Sequence, residues 1–316
     1  PTLAHSPHVA PLAVPLDGLD VVDLVTERDV DVVGCQLGRE VHAGIAGWLE
    51  LDGQPRDAVV DSIAHHYGRA AALAADVDGS AALSSDVVAR AVRWLRRAGE
   101  RAAQVDTPQR AVSLLSEALA LLDAVAPDAA LIDAVGGSDE RVALLLARSA
   151  AYGELHDLQR SRDDAAAGRA VAEAAGDERG AVRATVALAD VTARGGTPDE
   201  VDALLDEALA RAAAIGDDEG RAMALRVRGF AALLRNDPEA AVASLEPALE
   251  LYGTSGDCRG RAWVLQNLAW AHFIGGRIDD AVFFPVAELL GAVAVALIFW
   301  YGGGRAIQGA VSLGVL

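Results

Sequence analysis

Two histidines stand side by side at His65-His66, with Asp61 four residues before the first. Imidazoles and carboxylates are the usual ligands of zinc-like metals, and an i, i+4 pair on one helix can share an ion. Adjacent helical residues point about 100° apart, so the two histidines do not chelate as a pair. The run reads as imidazoles packed between helices with a polar edge, and no metal site is expected. Asp76-Val77-Asp78-Gly79-Ser80 opens like a calcium loop but lacks the downstream spacing and the closing Glu, so it reads as an inter-helix loop. Cys35 and Cys258 lie far apart with no CxxC spacing, as reduced apolar side chains do. Asp163-Asp164 and Asp279-Asp280 read as solvated helix faces or helix starts. Arg93, Arg96, Arg97 and Arg101 make a basic stripe, expected to pair with neighbouring acids. No nucleophile stands beside a base and no glycine-rich phosphate loop occurs, so we expect no catalytic residue, no cofactor and no enzyme activity.

Composition sharpens these exclusions. Lys plus Arg number 27 against 46 Asp plus Glu, for a formal charge of -19 over 316 residues. No lysine occurs, so every cation is an arginine. A P-loop, a protein kinase and a pyridoxal phosphate enzyme each need a lysine, and none can be complete here. So acidic a chain is not expected to bind nucleic acid, whose phosphates need basic patches. The opening Pro-Thr-Leu lacks a basic segment followed by an apolar one, so no secretory signal is expected and the chain reads as processed or a fragment.

The elements that must position these residues are set by a repeat. Gly176-Asp177-Glu178-Arg179-Gly180 recurs as Gly216-Asp217-Asp218-Glu219-Gly220 and as Gly256-Asp257-Cys258-Arg259-Gly260, an offset of 40 residues each time. Periods of 20 to 50 residues mark stacked supersecondary units. Each turn opens an amphipathic stretch: 181–193, 221–234 and 261–274. A break follows at Gly195-Gly196-Thr197-Pro198, Asn236-Asp237-Pro238 and Gly275-Gly276-Arg277, and a second periodic stretch begins. Asp after the glycine can cap the next helix, and Pro198 and Pro238 fit a first helical turn. Ala189, Gly229 and Ala269 share a phase where small residues let two helices approach. Val201, Ala241 and Ala281, then Leu205 and Leu245, then Ala208 and Ala248, form the opposing face.

This pattern resembles the tetratricopeptide repeat in a 40-residue form, best in the last unit at Leu268, Ala269, His272, Gly276, Ile278 and Ala281. An earlier unit starts near Asp139, with Tyr152 in phase with His272, although Arg148, Ser149 and Ser161 replace typical residues. The resemblance implies an all-α solenoid of helical hairpins, with a protein or peptide partner on its surface. Tyr152, Thr192, Ala232 and His272 share a first-helix phase; they are either partner-facing or packing positions, and packing is the favoured reading.

Upstream, the helical candidates are 39–51, 58–75, 85–104, 108–125 and 139–155. Residues 1–35, with Pro1, Pro7, Pro11 and Pro15, are left unassigned. The runs 64–71 (Ala-His-His-Tyr-Gly-Arg-Ala-Ala) and 91–102, with Glu40 to Glu50, resemble the helical region of large bacterial ATPase regulators, including adenylate cyclase-type and LuxR-type proteins. That resemblance covers about 36–281. It implies a sensor or scaffold arm without catalysis, whose ATPase and output domains lie outside this chain.

After Ala281 the phase is lost, as at a junction of unrelated segments. Residues 281–301 carry one charge, Glu288. As a helix they span about 30 Å, a hydrocarbon core's thickness. Eleven Val, Leu, Ile or Phe between Val282 and Phe299 contribute about -3 to -7 kcal/mol to insertion, against about 3 for the acid. Phe283, Pro285, Glu288, Trp300 and Tyr301 therefore mark an expected membrane segment. The stretch 283–314 resembles the fifth membrane helix and outer loop of ABC exporters, with Gly302-Gly303 and Gly309-Ala310-Val311-Ser312-Leu313-Gly314 at the loop. The expected organisation is 1–35 unassigned, 36–138 helical, 139–281 repeats and 282–316 exporter-like. The expected function is an interaction scaffold of a signalling or transcriptional regulator, cytoplasmic and membrane-associated through its last helix. The alternative is a membrane-transport component.

Overall fold

The computed structural model describes residues 27–51, 56–75, 85–105, 107–125 and 136–276, together with Leu289, 291–293 and Val295. Among the described residues there are eleven extended helices and no strands. They are α1 (Glu27–Leu51), α2 (Arg56–Ala75), α3 (Ser85–Gln104), α4 (Pro108–Val125), α5 (Gly137–Glu154), α6 (Leu158–Ala175), α7 (Glu178–Ala193), α8 (Pro198–Ile215), α9 (Asp218–Leu234), α10 (Pro238–Ser255) and α11 (Cys258–Ile274). Each packs on the next in sequence, and the first helices of successive hairpins (α3, α5, α7, α9, α11) also touch one another. The result is an all-α solenoid of stacked helical hairpins.

The caps explain why the helices start where they do. Asp177 and Asp217 accept a hydrogen bond from the backbone N–H of Gly180 (2.9 Å) and Gly220 (3.1 Å). Asp257 accepts from Arg259 and Gly260, both at 3.0 Å. The helices therefore begin directly after the aspartate, three residues earlier than the alanine-rich stretches suggest. A side chain at position 220 would collide with its own cap, because a Cβ there would lie 2.5 Å from Asp217 Oδ2. Glycine is thus required by the cap and not by backbone freedom. Gly176, Gly216 and Gly256 do use left-handed φ values of 71°, 65° and 76° to end α6, α8 and α10. At the hairpin turns, His156, Asn236 and Gly276 also have positive φ, and they too lie 40 or 80 residues apart.

Inside the hairpins a small residue faces a leucine 16 positions on. Ala189 and Leu205 are fully buried in one cluster. Gly229 lies so close to Leu245 that a Cβ would overlap it. Gly99 of α3 repeats the arrangement against Leu115 of α4, where a Cβ would stand 2.7 Å from the leucine Cγ. The α3–α4 pair is therefore packed like the later repeats, a kinship hidden in sequence by the long connection after α4. In α5–α6 the same crossing is polar. Ser149 Oγ donates to Ser161 O (2.7 Å), Ser161 Oγ donates to Ser149 O (2.8 Å), and Arg148 grips Asp164 with two bonds of 2.7 and 2.8 Å. These contacts account for the atypical residues of that unit.

Two expectations change. Helix α1 begins at Glu27 and not Arg39, so much of the valine- and aspartate-rich stretch left unassigned is helical. Phe283, Pro285, Glu288, Trp300 and Tyr301 of the expected membrane segment lie outside the described residues; of that segment only Leu289, 291–293 and Val295 are described, and they are helical. Among the described residues no helix is long and apolar enough to cross a membrane, so the exporter-like helix and the membrane association expected from it gain no support.

Candidate protein-interaction groove

The first helices line one hollow of about 520 Å³. Its floor is apolar, from Leu146 of α5, Val186 of α7 and Met223 and Val227 of α9. Trp263 of α11 closes one end, and Arg96 and Glu100 of α3 stand at the other. The lining follows the repeat. Ala143, Arg183, Met223 and Trp263 are separated by 40 residues each, and Leu146, Val186 and Arg226 follow the same rule three residues on. One helical face, reused four times, makes a continuous wall.

Arginines and aromatic rings are interleaved along that wall. The Arg194 guanidinium lies 5.7 Å from the Phe230 ring centre, and that of Arg226 lies 4.7 Å from the Trp263 ring. Phe230 and Trp263 meet edge to face at 5.6 Å. Such stacking holds a guanidinium in place while leaving its N–H fork free. Arg194 also bonds Asp190 (3.2 Å), and Arg96 pairs with Glu140 (2.7 Å) and Glu100 (2.8 Å). Arg183 and Arg226 form no ion pair among the described residues.

A second hollow of about 460 Å³ adjoins the first, Glu100 lining both. It is made by Val60, Trp94, Arg97, Arg101, Gln104 and Val105. The basic stripe of α3 is thereby split. Arg96 faces α5 and is neutralised there. Arg93, Arg97 and Arg101 find no acid among the described residues, and Arg97 rests 5.0 Å over the Trp94 ring.

The phase singled out in sequence falls elsewhere. Thr192 and His272 are buried, at 2% and 7% exposure. Thr192 Oγ1 donates to the Leu188 carbonyl (2.6 Å) and accepts from Arg162 (3.2 Å). His272 Nδ1 is buried without a partner among the described residues. Tyr152 is half-buried, between the guanidiniums of Arg148 (5.9 Å) and Arg160 (5.7 Å). None of the three lines the groove.

His65 and His66 gain a third imidazole that sequence does not suggest. His42 of α1 shares a hydrogen bond with His66, Nδ1 to Nδ1 at 2.8 Å, and its ring centre lies 6.2 Å from that of His65. Burial, then the neighbouring histidines, hold the His42 and His66 imidazoles below the usual histidine range. Asp61 does not join them; it faces Arg110 at 3.4 Å. Among the described residues no group of His, Cys, Asp or Glu is arranged to hold a metal ion. Residues 76–80 lie outside the described residues, and Cys258 is an exposed free thiol.

No family model and no curated protein matches the sequence. Among solved structures the chain is similar to BtubC (BKLC) from P. vanneervenii, at 12% identity and a TM-score of 0.47 over 85% of this chain and 92% of that one. It is also similar to the apo form of RapI, at 12% identity and a TM-score of 0.44 over 81% and 71% of the two chains. A third is PH0952 from Pyrococcus horikoshii, a Signal Transduction ATPase with Numerous Domains with a tetratricopeptide repeat sensor. There the identity is 12% and the TM-score 0.43, over 85% of this chain and 44% of that one.

Proposed function

We propose that the chain is a non-catalytic protein-interaction scaffold whose first-helix groove receives a segment of a partner protein. The observation that carries this reading is the reuse of one face. Positions that pack the hairpins keep small or leucine side chains from unit to unit. The groove positions at the same period vary freely: Ala143, Arg183, Met223 and Trp263. A face that varies within a repeated frame while the hairpin contacts beside it stay constant is what recognition requires. The hollow is wide enough for an extended segment or a single helix, with an apolar floor and polar edges. The regulator-like sequence runs at 40–50, 64–71 and 91–102 support a finer role as the sensor arm of a signalling or transcriptional regulator.

The test is selection of displayed random peptides on the native chain, followed by rebinding to Ala187→Arg. Ala187 is half-buried on the groove floor, and an arginine there fills the hollow. Selected peptides should lose at least tenfold in affinity. Peptides that bind both proteins equally would place recognition elsewhere and overturn the reading.

A further inference from the structure

We propose that the groove is built for an acidic segment of its partner, one that alternates carboxylates with apolar side chains. This rests on the groove reading above and adds the chemistry of the occupant. In a chain with a charge of -19 an arginine has abundant acids to pair with, and between the hairpins it does. Arg141 holds Asp123, Arg169 holds Glu173 and Glu207, Arg211 holds Glu173, Glu178 and Glu207, Arg228 holds Asp206 and Arg235 holds Asp202. Arg183 and Arg226 in the first hollow, and Arg97 and Arg101 in the adjoining one, have no acid among the described residues. Arg179 and Arg259, also without an acid among the described residues, are exposed in the first turns of their helices, and Arg93 stands mid-helix in α3; none of the three lines either hollow.

Two of the four are held on aromatic faces, Arg226 on Trp263 and Arg97 on Trp94. Arg97 keeps a planar fork of donors free to grip a carboxylate with two bonds, while Arg226 shares its fork with the Tyr252 hydroxyl and offers a carboxylate the remainder. A preset guanidinium loses little freedom on binding, which is where much of the cost of recognition lies. A concave wall also concentrates the field of its charges. The floor of Leu146, Val186, Met223 and Val227 demands apolar side chains between the acids. A nucleic acid would satisfy the arginines but would leave the apolar floor without a partner, whereas the apolar side chains of the segment cover it.

The experiment uses the whole chain and three fluorescein-labelled probes: a twelve-residue alternating Glu-Leu peptide, the corresponding Lys-Leu peptide and a twelve-residue thymidine oligonucleotide. Fluorescence anisotropy should detect the acidic peptide only, with affinity falling as salt rises. Arg183→Glu is exposed and unpaired in the fold, so circular dichroism should show it intact, and it should weaken that binding at least tenfold. Arg259→Glu, outside both hollows, should leave it unchanged. Equal loss in both variants would overturn the proposal. Binding of the Lys-Leu peptide or the oligonucleotide in place of the acidic one would also overturn it. The groove reading survives that result if the bound probe slows hydrogen exchange in α7 and α9. Peptides selected on the native chain that fail to protect those helices would remove both.

Discussion

The repeats α7–α10 and the pair α1–α2 are both neighbouring helices in contact, yet they are held by different means. In α7–α10 the buried contacts are apolar and recur, with ion pairs such as Arg228–Asp206 and Arg235–Asp202 at their exposed rim. A small residue meets a leucine, Ala189 with Leu205 and Gly229 with Leu245, and an aspartate caps each following first helix. In α1–α2 an apolar patch of Ala46, Ile63 and Tyr67 is flanked by polar contacts that occur once. At one point His42 meets His66. At the other, Glu50 accepts from Tyr67 (3.0 Å), Arg90 (2.6 Å) and Trp94 Nε1. A unit inside the array is covered on both sides and relies chiefly on shape. Among the described residues α1 packs chiefly on α2, and a few charged contacts secure it. The repeats thus spread their stability over many similar contacts. The α1–α2 hairpin, first among the described helices, concentrates it in a few that respond to charge.

The largest effects should come from the recurring leucines. Leu245→Ala and Leu115→Ala each leave a cavity at a fully buried site and should cost about 2–5 kcal/mol in denaturant unfolding. Similar losses would place α3–α4 with the repeats, and the change in packing style between α2 and α3. A loss under about 1 kcal/mol for Leu115 alone would move that boundary into the array.

Glu50→Gln attacks the other style. It keeps the shape but removes the charge that three donors share. Hydrogen bonds to charged groups contribute about 1.5–3 kcal/mol, and the partial exposure of Arg90 puts this case at the lower end. The loss should be local. Hydrogen exchange in α1 should quicken while α7–α10 stay protected. Uniform quickening would mean that the α1–α2 hairpin and the repeats unfold as one unit, and the contrast between them would fail.

What the sequence shows divides along the same line. The Gly-Asp turns, the prolines at the starts of α8 and α10 and the limits of α3 and α4 are readable, because caps and turns are local chemistry. The start of α1 is not readable. Valine and aspartate are weak helix formers, yet the helix runs from Glu27. The His42–His66 contact joins residues 24 apart on different helices, and no local pattern announces it. The groove is a subtler case. The phase at Tyr152, Thr192 and His272 and the phase at Arg183, Met223 and Trp263 are equally periodic, so periodicity cannot tell packing from recognition. The arginine pairing separates them, and that depends on which acids the fold brings near.

Caps give a smaller effect and probe the repeats alone. Asp177→Ala and Asp217→Ala each remove one side-chain cap and should cost about 1 kcal/mol. They serve different helices, so the double variant should cost about the sum, near 2 kcal/mol. A double variant costing markedly more would show that neighbouring hairpins depend on each other's turns.

The smallest effect is the one that best separates the two regions, because it depends on pH and belongs to α1–α2 alone. Burial and mutual repulsion lower the His42 and His66 imidazoles in the fold. Below pH 6.5 the unfolded chain therefore binds more protons than the folded one, and stability must fall as the solution is acidified. The contribution is complete above about pH 6.5 and is lost as pH drops toward the lowered folded values. The groups facing the His42–His66 pair are His65 and Arg69 of α2, with Glu117 of α4 beside those two. His65 and Arg69 act in the same direction by adding positive charge. Glu117 acts against it, since burial raises its carboxyl and the fold takes up its proton early. His42→Gln together with His66→Gln should flatten the pH dependence of α1 hydrogen exchange between pH 5 and 7, and Glu117→Gln should steepen it. Exchange in α7–α10 should not change with pH beyond the intrinsic rate in any of these proteins. If acid loosens the repeats as much as α1, the histidines do not distinguish the α1–α2 pair from the repeats.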